Sequence, residues 1–391
     1  MYTDIPVSDL DLYSVDALHD PYPAYFALRA LGPVVRLEKS DVLACARDAE
    51  VRHLLGDPIT FSSASGVAMN DRMNSLMKGS TLVSDPPEHD AQRKILGRPL
   101  DTAALRALSD RVRSEAHRLV DRVCAKGKIE AVTEFAQHLP LTIVSELVGL
   151  PDDGKDRMLA WASAGFDALG PIDDRTAGAF KIVEQLFAFN QQQLSRSRLK
   201  PGGWADRLFE AVDNGELRPE QCTAMLQDYI GPSLDTTISA TASAIWLFTN
   251  NPEQWDLLRA NPRLISNAIN EVVRIESPVQ GFTRFLTKDV EMGGFSLAQG
   301  ARILALYGSA NRDERKWDNP DRLDIERRSQ DQLGFGHGVH RCVGANLARL
   351  EISALLEALV RRVRRFTLID SKRAVNSVIR GWESLTIVLE T

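Results

Sequence analysis

The sequence has little cysteine: four in 391 residues, at positions 45, 124, 222 and 342, with no paired spacing. That argues against a disulfide framework and points to a reducing compartment. It also lacks surplus positive charge. Its 47 Lys and Arg against 53 Asp and Glu leave a formal charge of −6. Phosphate binding needs the opposite balance, so nucleic acid is not an expected partner. The first residues are acidic (Asp4, Asp9, Asp11, Asp16, Asp20), and no Lys or Arg precedes Arg29. No apolar run there is long enough for a signal peptide or membrane anchor, so a cytoplasmic protein without membrane contact is expected. Internal repeats, low-complexity segments and flavin or dinucleotide signatures are absent too. The remaining composition, 44% hydrophobic and 26% charged, is that of an ordinary globular domain.

Long amphipathic segments dominate. Residues 103–126, 182–199, 219–249, 252–275 and 345–366 carry apolar residues three and four apart, which predicts helices. Short extended segments at 34–37 and 42–47 read as one strand pair, and 290–292 with 301–306 as another. Pro and Gly near 151–154, 170–171 and 201–203 mark loops rather than domain linkers. The expectation is one mainly α domain over residues 1–391 with small β-sheets.

The stretch Phe335–Gly344 is the most specific in the chain. Cys342 stands in a glycine-rich loop beside His340 and Arg341, at the mouth of an apolar helix. A thiolate needs donors and cations to stay deprotonated, and a helix N-terminus adds a favourable dipole. Gly336, Gly338 and Gly344 let the backbone approach the sulfur closely. Cys45, Cys124 and Cys222 have no such surroundings and read as core. The pattern Phe335, Gly336, Gly338, His340, Cys342, Gly344 resembles the cysteine-ligand loop of the cytochrome P450 family, the haem-thiolate monooxygenases. The resemblance implies the triangular P450 fold, haem b (iron protoporphyrin IX) as cofactor and Cys342 as the iron ligand.

Other positions gain meaning from the resemblance. Glu271 and Arg274 lie three apart on one helix face, and with Arg322 they match the family's buried structural trio. His89 and Arg93, four apart on one helix, together with Arg284 and His340, match contacts to the haem propionates. Asp235 and Thr236 match the acid–alcohol pair that relays protons during oxygen activation. Just before them the chain departs from the family, with Pro232 and Ser233 in place of small residues. Pro232 lacks an N–H, so the carbonyl of Asp228 loses its helical partner and a kink is expected.

Asp20–Pro23, Phe61–Ser63, Glu276–Arg284 and Gly308–Asp313 resemble the bacterial branch that oxidises small para-substituted aromatic acids. Phe166, Leu169, Val279 and Phe282 are expected to form a flat apolar slot for an aromatic ring. The branch's carboxylate clamp does not carry over. Ser65 stands where those relatives have an arginine, and Gln227 and Asp228 stand where they have an Arg–Ser pair. A benzoate would meet fewer cations and an extra acid. A neutral methoxyphenol or alkylphenol is therefore favoured over a substituted benzoate. A small terpenoid, or a cationic substrate paired with Asp228, is the alternative within the class.

The resemblance also implies O2 as co-substrate and electrons from an iron–sulfur ferredoxin and its reductase, with the chain acting as a monomer. Lys94, Arg98, Arg341 and Arg349 are candidates for a basic patch that steers an acidic partner. Arg361, Arg362, Arg364 and Arg365 read as charges at a helix end. A non-catalytic haem sensor or carrier is the rival reading, and a peroxide-driven enzyme a third. The Asp235–Thr236 pair argues against both. The segment 154–206 is expected to hold a lid over the pocket.

Overall fold

A computed structural model describes residues 5–193 and 195–391, so Asp4 and Leu194 lie outside the described residues. The main core is helical. The helix Thr102–Lys126 starts on Asp101, whose side chain accepts from Ala104 N–H at 2.8 Å, and ends at Gly127, which has φ 74°. Its buried face (Val112, Ala116, Leu119, Val123) belongs to one cluster with Leu355 and Leu359 of the helix Ala345–Arg362. The helix Ile265–Glu276 is buried over most of its length. It stops at Ser277, a non-glycine residue at φ 38°. Such a conformation persists only where neighbours hold it. Here Ser277 N–H donates to Val273 O, and Asn311 Nδ2 donates to Ser277 Oγ at 2.7 Å.

Four of the expected helices are shorter, shifted or divided; the segment 182–199 belongs to a helix that begins earlier, Asp174–Ala188, and runs on as a π turn, Phe189–Gln193. The segment 219–249 is two helices, Pro219–Ile230 and Asp235–Asn250, because Pro232 breaks the ladder rather than bending it. The segment 252–275 divides at Asn261–Pro262, and 345–366 ends at Arg362. Arg365 then opens a strand, Arg365–Arg373, which pairs with Trp382–Glu390. That hairpin was not expected from the sequence. The strand pairing at 290–306 also differs. Val290–Met292 pairs with Phe295–Leu297 as a local hairpin. Arg302–Leu306 instead joins a six-stranded sheet, between Val42–Cys45 and Gly281–Leu286. The fold is otherwise as expected, mainly α with small sheets. Among the described residues, no helix is long and apolar enough to cross a membrane.

Candidate active site

Cys342 is held by its own loop. Its N–H donates to Phe335 O at 2.8 Å, and Gly336 N–H donates to Leu333 O at 2.8 Å. Gly336 and Gly338 have φ of 72° and 66°, values that side-chain-bearing residues rarely adopt. A Cβ on Gly338 would also lie 2.2 Å from Leu55 O. Gly344 differs, with φ −81°, so its part is not conformational. It caps the following helix, and the N–H groups of Gly344 and Ala345 reach the sulfur. Burial pushes the Cys342 thiol up, while those N–H groups, Arg93 and Arg349 pull it back. These donors are what a bound thiolate needs. Arg349 sits 4.3 Å over the Phe335 ring and donates to Asn270 Oδ1 at 3.1 Å.

Behind the loop lies an ion network with no exposed member at its centre. Arg274 forks onto Glu271 with two bonds of 2.8 Å, and both side chains are fully buried. Arg274 also donates to Asn311 O at 2.8 Å and Pro320 O at 2.7 Å. Asn311 Oδ1 in turn accepts from Leu333 N–H at 2.7 Å, which connects the fork to the turn holding Cys342. The third arginine is not the expected one. Arg327 Nε reaches Glu271 at 3.0 Å. Arg322 points into an exposed turn and pairs with Asp324. The turn decides this: Arg327 is anchored on the carbonyls of Asp318 and Asn319, which brings its side chain back over Glu271.

Of the four expected propionate contacts, Arg93, Arg284 and His340 line one cavity, and His89 packs behind His340. His89 lies on the helix Glu88–Gly97 and is fully buried, with its ring centroid 4.4 Å from that of His340. The Nε2 atoms of both rings are buried without a partner. Arg284 is buried, donates to its own neighbour's carbonyl, Thr283 O, at 2.7 Å, and also reaches the Tyr307 hydroxyl. Arg93 donates to Arg341 O. Among the described residues, no carboxylate pairs with Arg93 or Arg284. Burial, with Arg284, His89 and Arg93 nearby, drives His340 down to about 2. Buried cations and orphaned ring nitrogens without a counter-charge call for an anion.

Cys342, Phe335, His340, Gly344, Arg93 and Arg284 all line a cavity of about 1900 Å3, its mouth included. A large planar group with an iron for the sulfur and two carboxylates for the cations fits the chemistry of these residues. Bound haem supplies dioxygen-activating chemistry, and a thiolate ligand favours O–O cleavage.

The opposite wall is the broken helix. Pro232, Ser233, Thr236 and Thr237 line the cavity. Ser233 Oγ donates to Tyr229 O, and Thr236 Oγ1 donates to Pro232 O at 2.9 Å, so local hydroxyls satisfy carbonyls released by the break. Asp235, the first residue of the downstream half, lies just off the cavity wall with Ser163 as neighbour. A helix N-terminus favours a carboxylate, yet desolvation wins over the Ser163 hydroxyl and lifts Asp235 to about 6. Phe166, Leu169, Val279 and Phe282 line the same cavity, as do Gln227 and Asp228. Trp161, Phe187 and Thr81, which the sequence did not single out, join them.

Comparison with known proteins agrees with this geometry. The cytochrome P450 family profile matches residues 172–386, more than half of the chain. The chain is 37% identical over 390 residues to "Cytochrome p450 CYP199A2" of Rhodopseudomonas palustris, covering 98% of this chain and 95% of the relative. It is 32% identical to the "Vitamin D(3) 25-hydroxylase" of Pseudonocardia autotrophica, over 87% of this chain and 86% of that one. Among solved structures, P450BioI in complex with an acyl carrier protein superposes with a TM-score of 0.86 at 25% identity, over 96% of this chain and 100% of that one. The chain therefore belongs to the cytochrome P450 family, the haem b monooxygenases.

Proposed function

We propose that this monooxygenase hydroxylates or O-demethylates a small neutral aromatic, with Cys342 as the iron ligand and His89, Arg93, Arg284 and His340 holding the propionates. One observation carries the substrate class. Among the described residues, the only arginines lining the cavity are Arg93 and Arg284, which the propionates engage, and no lysine lines it. A substrate carboxylate would have no cation left and would face Asp228 instead. An uncompensated buried carboxylate costs several kcal/mol, about as much as or more than the contacts of one ring return. The walls at Phe166, Leu169, Val279 and Phe282 suit a ring.

The proton path in this reading runs through Asp235 and Thr236. Asp235, lifted to about 6, can hold and release a proton near neutrality. Thr236 spends its hydroxyl proton on Pro232 O and keeps its oxygen lone pairs to accept from water or substrate. Pro232 fixes the helix opening that makes room for both.

Electrons come from a separate acidic ferredoxin. Of the four cations considered for its docking, Lys94 and Arg341 are exposed, and among the described residues neither forms an ion pair with a carboxylate. Arg98 is paired to Glu216, and Arg349 is drawn inward onto Phe335 and Asn270. The expected docking charge is thus narrower than four residues.

The test is optical titration of the ferric haem-loaded protein with 4-methoxyphenol and 4-methoxybenzoate, reading displacement of iron-bound water as a high-spin shift. The neutral ligand is expected to produce it and the acid not. A shift with the acid and none with the phenol would refute the reading.

A further inference from the structure

On the upstream side of the helix break, three polar side chains line a cavity otherwise walled largely by apolar residues: Thr81, Gln227 and Asp228. None has a part in holding the cofactor or in the proton path. Asp228 Oδ2 accepts from Thr81 N–H at 2.8 Å, which ties the loop at 81 to the end of the helix Pro219–Ile230. Gln227 Nε2 is a buried amide donor without a partner. Thr81 is 4% exposed, and its hydroxyl lies against the Asp228 carboxylate, as does the Leu82 N–H. A buried amide donor without a partner, next in sequence to a carboxylate on the same cavity, is costly unless a ligand completes it.

We infer that Thr81, Gln227 and Asp228 form an anchoring subsite for an uncharged hydroxyl on the substrate, making the substrate class a phenol. This rests on the aromatic reading above and goes beyond it. The donor–acceptor pattern selects the group. Gln227 Nε2 needs a lone pair to donate to. Asp228 accepts from Thr81 and Leu82 and keeps a lone pair beyond those bonds, and Thr81 Oγ1 can accept as well. An ammonium could pair with Asp228, but it has no lone pair for Gln227. A carboxylate could take the Gln227 donor, but it would meet Asp228 with like charge. An ether can accept but has nothing to give. A hydroxyl does both.

The test uses the full-length ferric haem-loaded protein and three probes: 4-ethylphenol, its methyl ether 4-ethylanisole, and 4-ethylbenzylammonium. High-spin conversion is titrated in the unaltered protein and in Gln227→Leu and Thr81→Val. The haem spectrum of each variant, checked first, shows that it still holds the cofactor. The phenol is expected to bind about tenfold or more tighter than its ether, since an unmade buried hydrogen bond is costly. Gln227→Leu should bring the two within about twofold by weakening the phenol, and Thr81→Val should narrow the gap less. Equal binding of phenol and ether, a gap unchanged in both variants, or tightest binding of the ammonium would each overturn the subsite while leaving the aromatic reading in place. No response to any of the three probes would overturn both.

Discussion

Two ends of one cavity are built in opposite ways. At the Cys342 end, nearly every polar group has a partner inside the protein, and the connections form a chain. Glu271 holds Arg274, Arg274 holds Asn311, Asn311 holds Leu333, and Leu333 holds the turn at Gly336. The His89 and His340 Nε2 atoms left unpaired there are positions that a bound cofactor can complete. At the Gln227 end, the helix has just broken: Asp228 is held by the loop at 81–82, and the Gln227 amide donor beside it in sequence is left open. A site that must hold one fixed cofactor can complete its own network. A site that must choose among substrates leaves the last bonds for the ligand to make.

Breaking the closed end should cost most. Arg274→Ala leaves Glu271 fully buried with only Arg327 and the Asp324 N–H, an expected loss of roughly 3–5 kcal/mol. Denaturant unfolding of the haem-loaded protein measures it. Arg322→Ala, at an exposed pair, should stay within about 0.5 kcal/mol. Equal losses in the two variants would remove the distinction between Arg327 and Arg322.

The proton path comes next. Asp235→Asn should lower turnover roughly a hundredfold, the lower range for loss of a positioned acid. The sign of the pH effect follows from the raised value. Asp235 is protonated below about 6 and ionised above it. Product formed per electron pair should therefore fall as pH rises through about 6, and Asp235→Asn should flatten that step. A step of the same size in the Asn variant would assign it to another group.

The smallest expected effect is at the break itself. Pro232→Ala restores an N–H that Asp228 O can use, so the two half-helices can rejoin. Haem content should be unchanged, while the fraction of electrons ending in product shifts. An unchanged fraction would mean that the opening is set by Ser233 and Thr236 rather than by the proline.

Legibility in the sequence followed the same division. The Cys342 loop is local and legible in its residues, whereas Glu271 and Arg274 share one helix face but took a buried role only from the family resemblance. Arg327 was missed because the return of the 318–327 turn, with Asn319 at φ 46°, decides which arginine reaches Glu271. Helix periodicity ran past Pro232 because Leu234 and Ile238 continue the apolar pattern on the far side of the break. The C-terminal hairpin carried a readable signal. Leu385, Ile387 and Leu389 alternate as buried residues along Trp382–Glu390. The partner of Arg302–Leu306 could not be read, because that strand pairs with residues far away in sequence. Thr81 shows the same limit: a threonine in a loop gains a role only when tertiary packing sets it against Asp228.

The claim that the open end sets the substrate class is tested most directly by the double variant Gln227→Arg with Asp228→Ser, titrated with 4-methoxybenzoate in the ferric state. The account predicts that the acid, silent in the unaltered protein, gains a high-spin shift and about tenfold or more in affinity, since a buried acid is then paired. An unchanged affinity for the acid in a variant that still binds haem would contradict it.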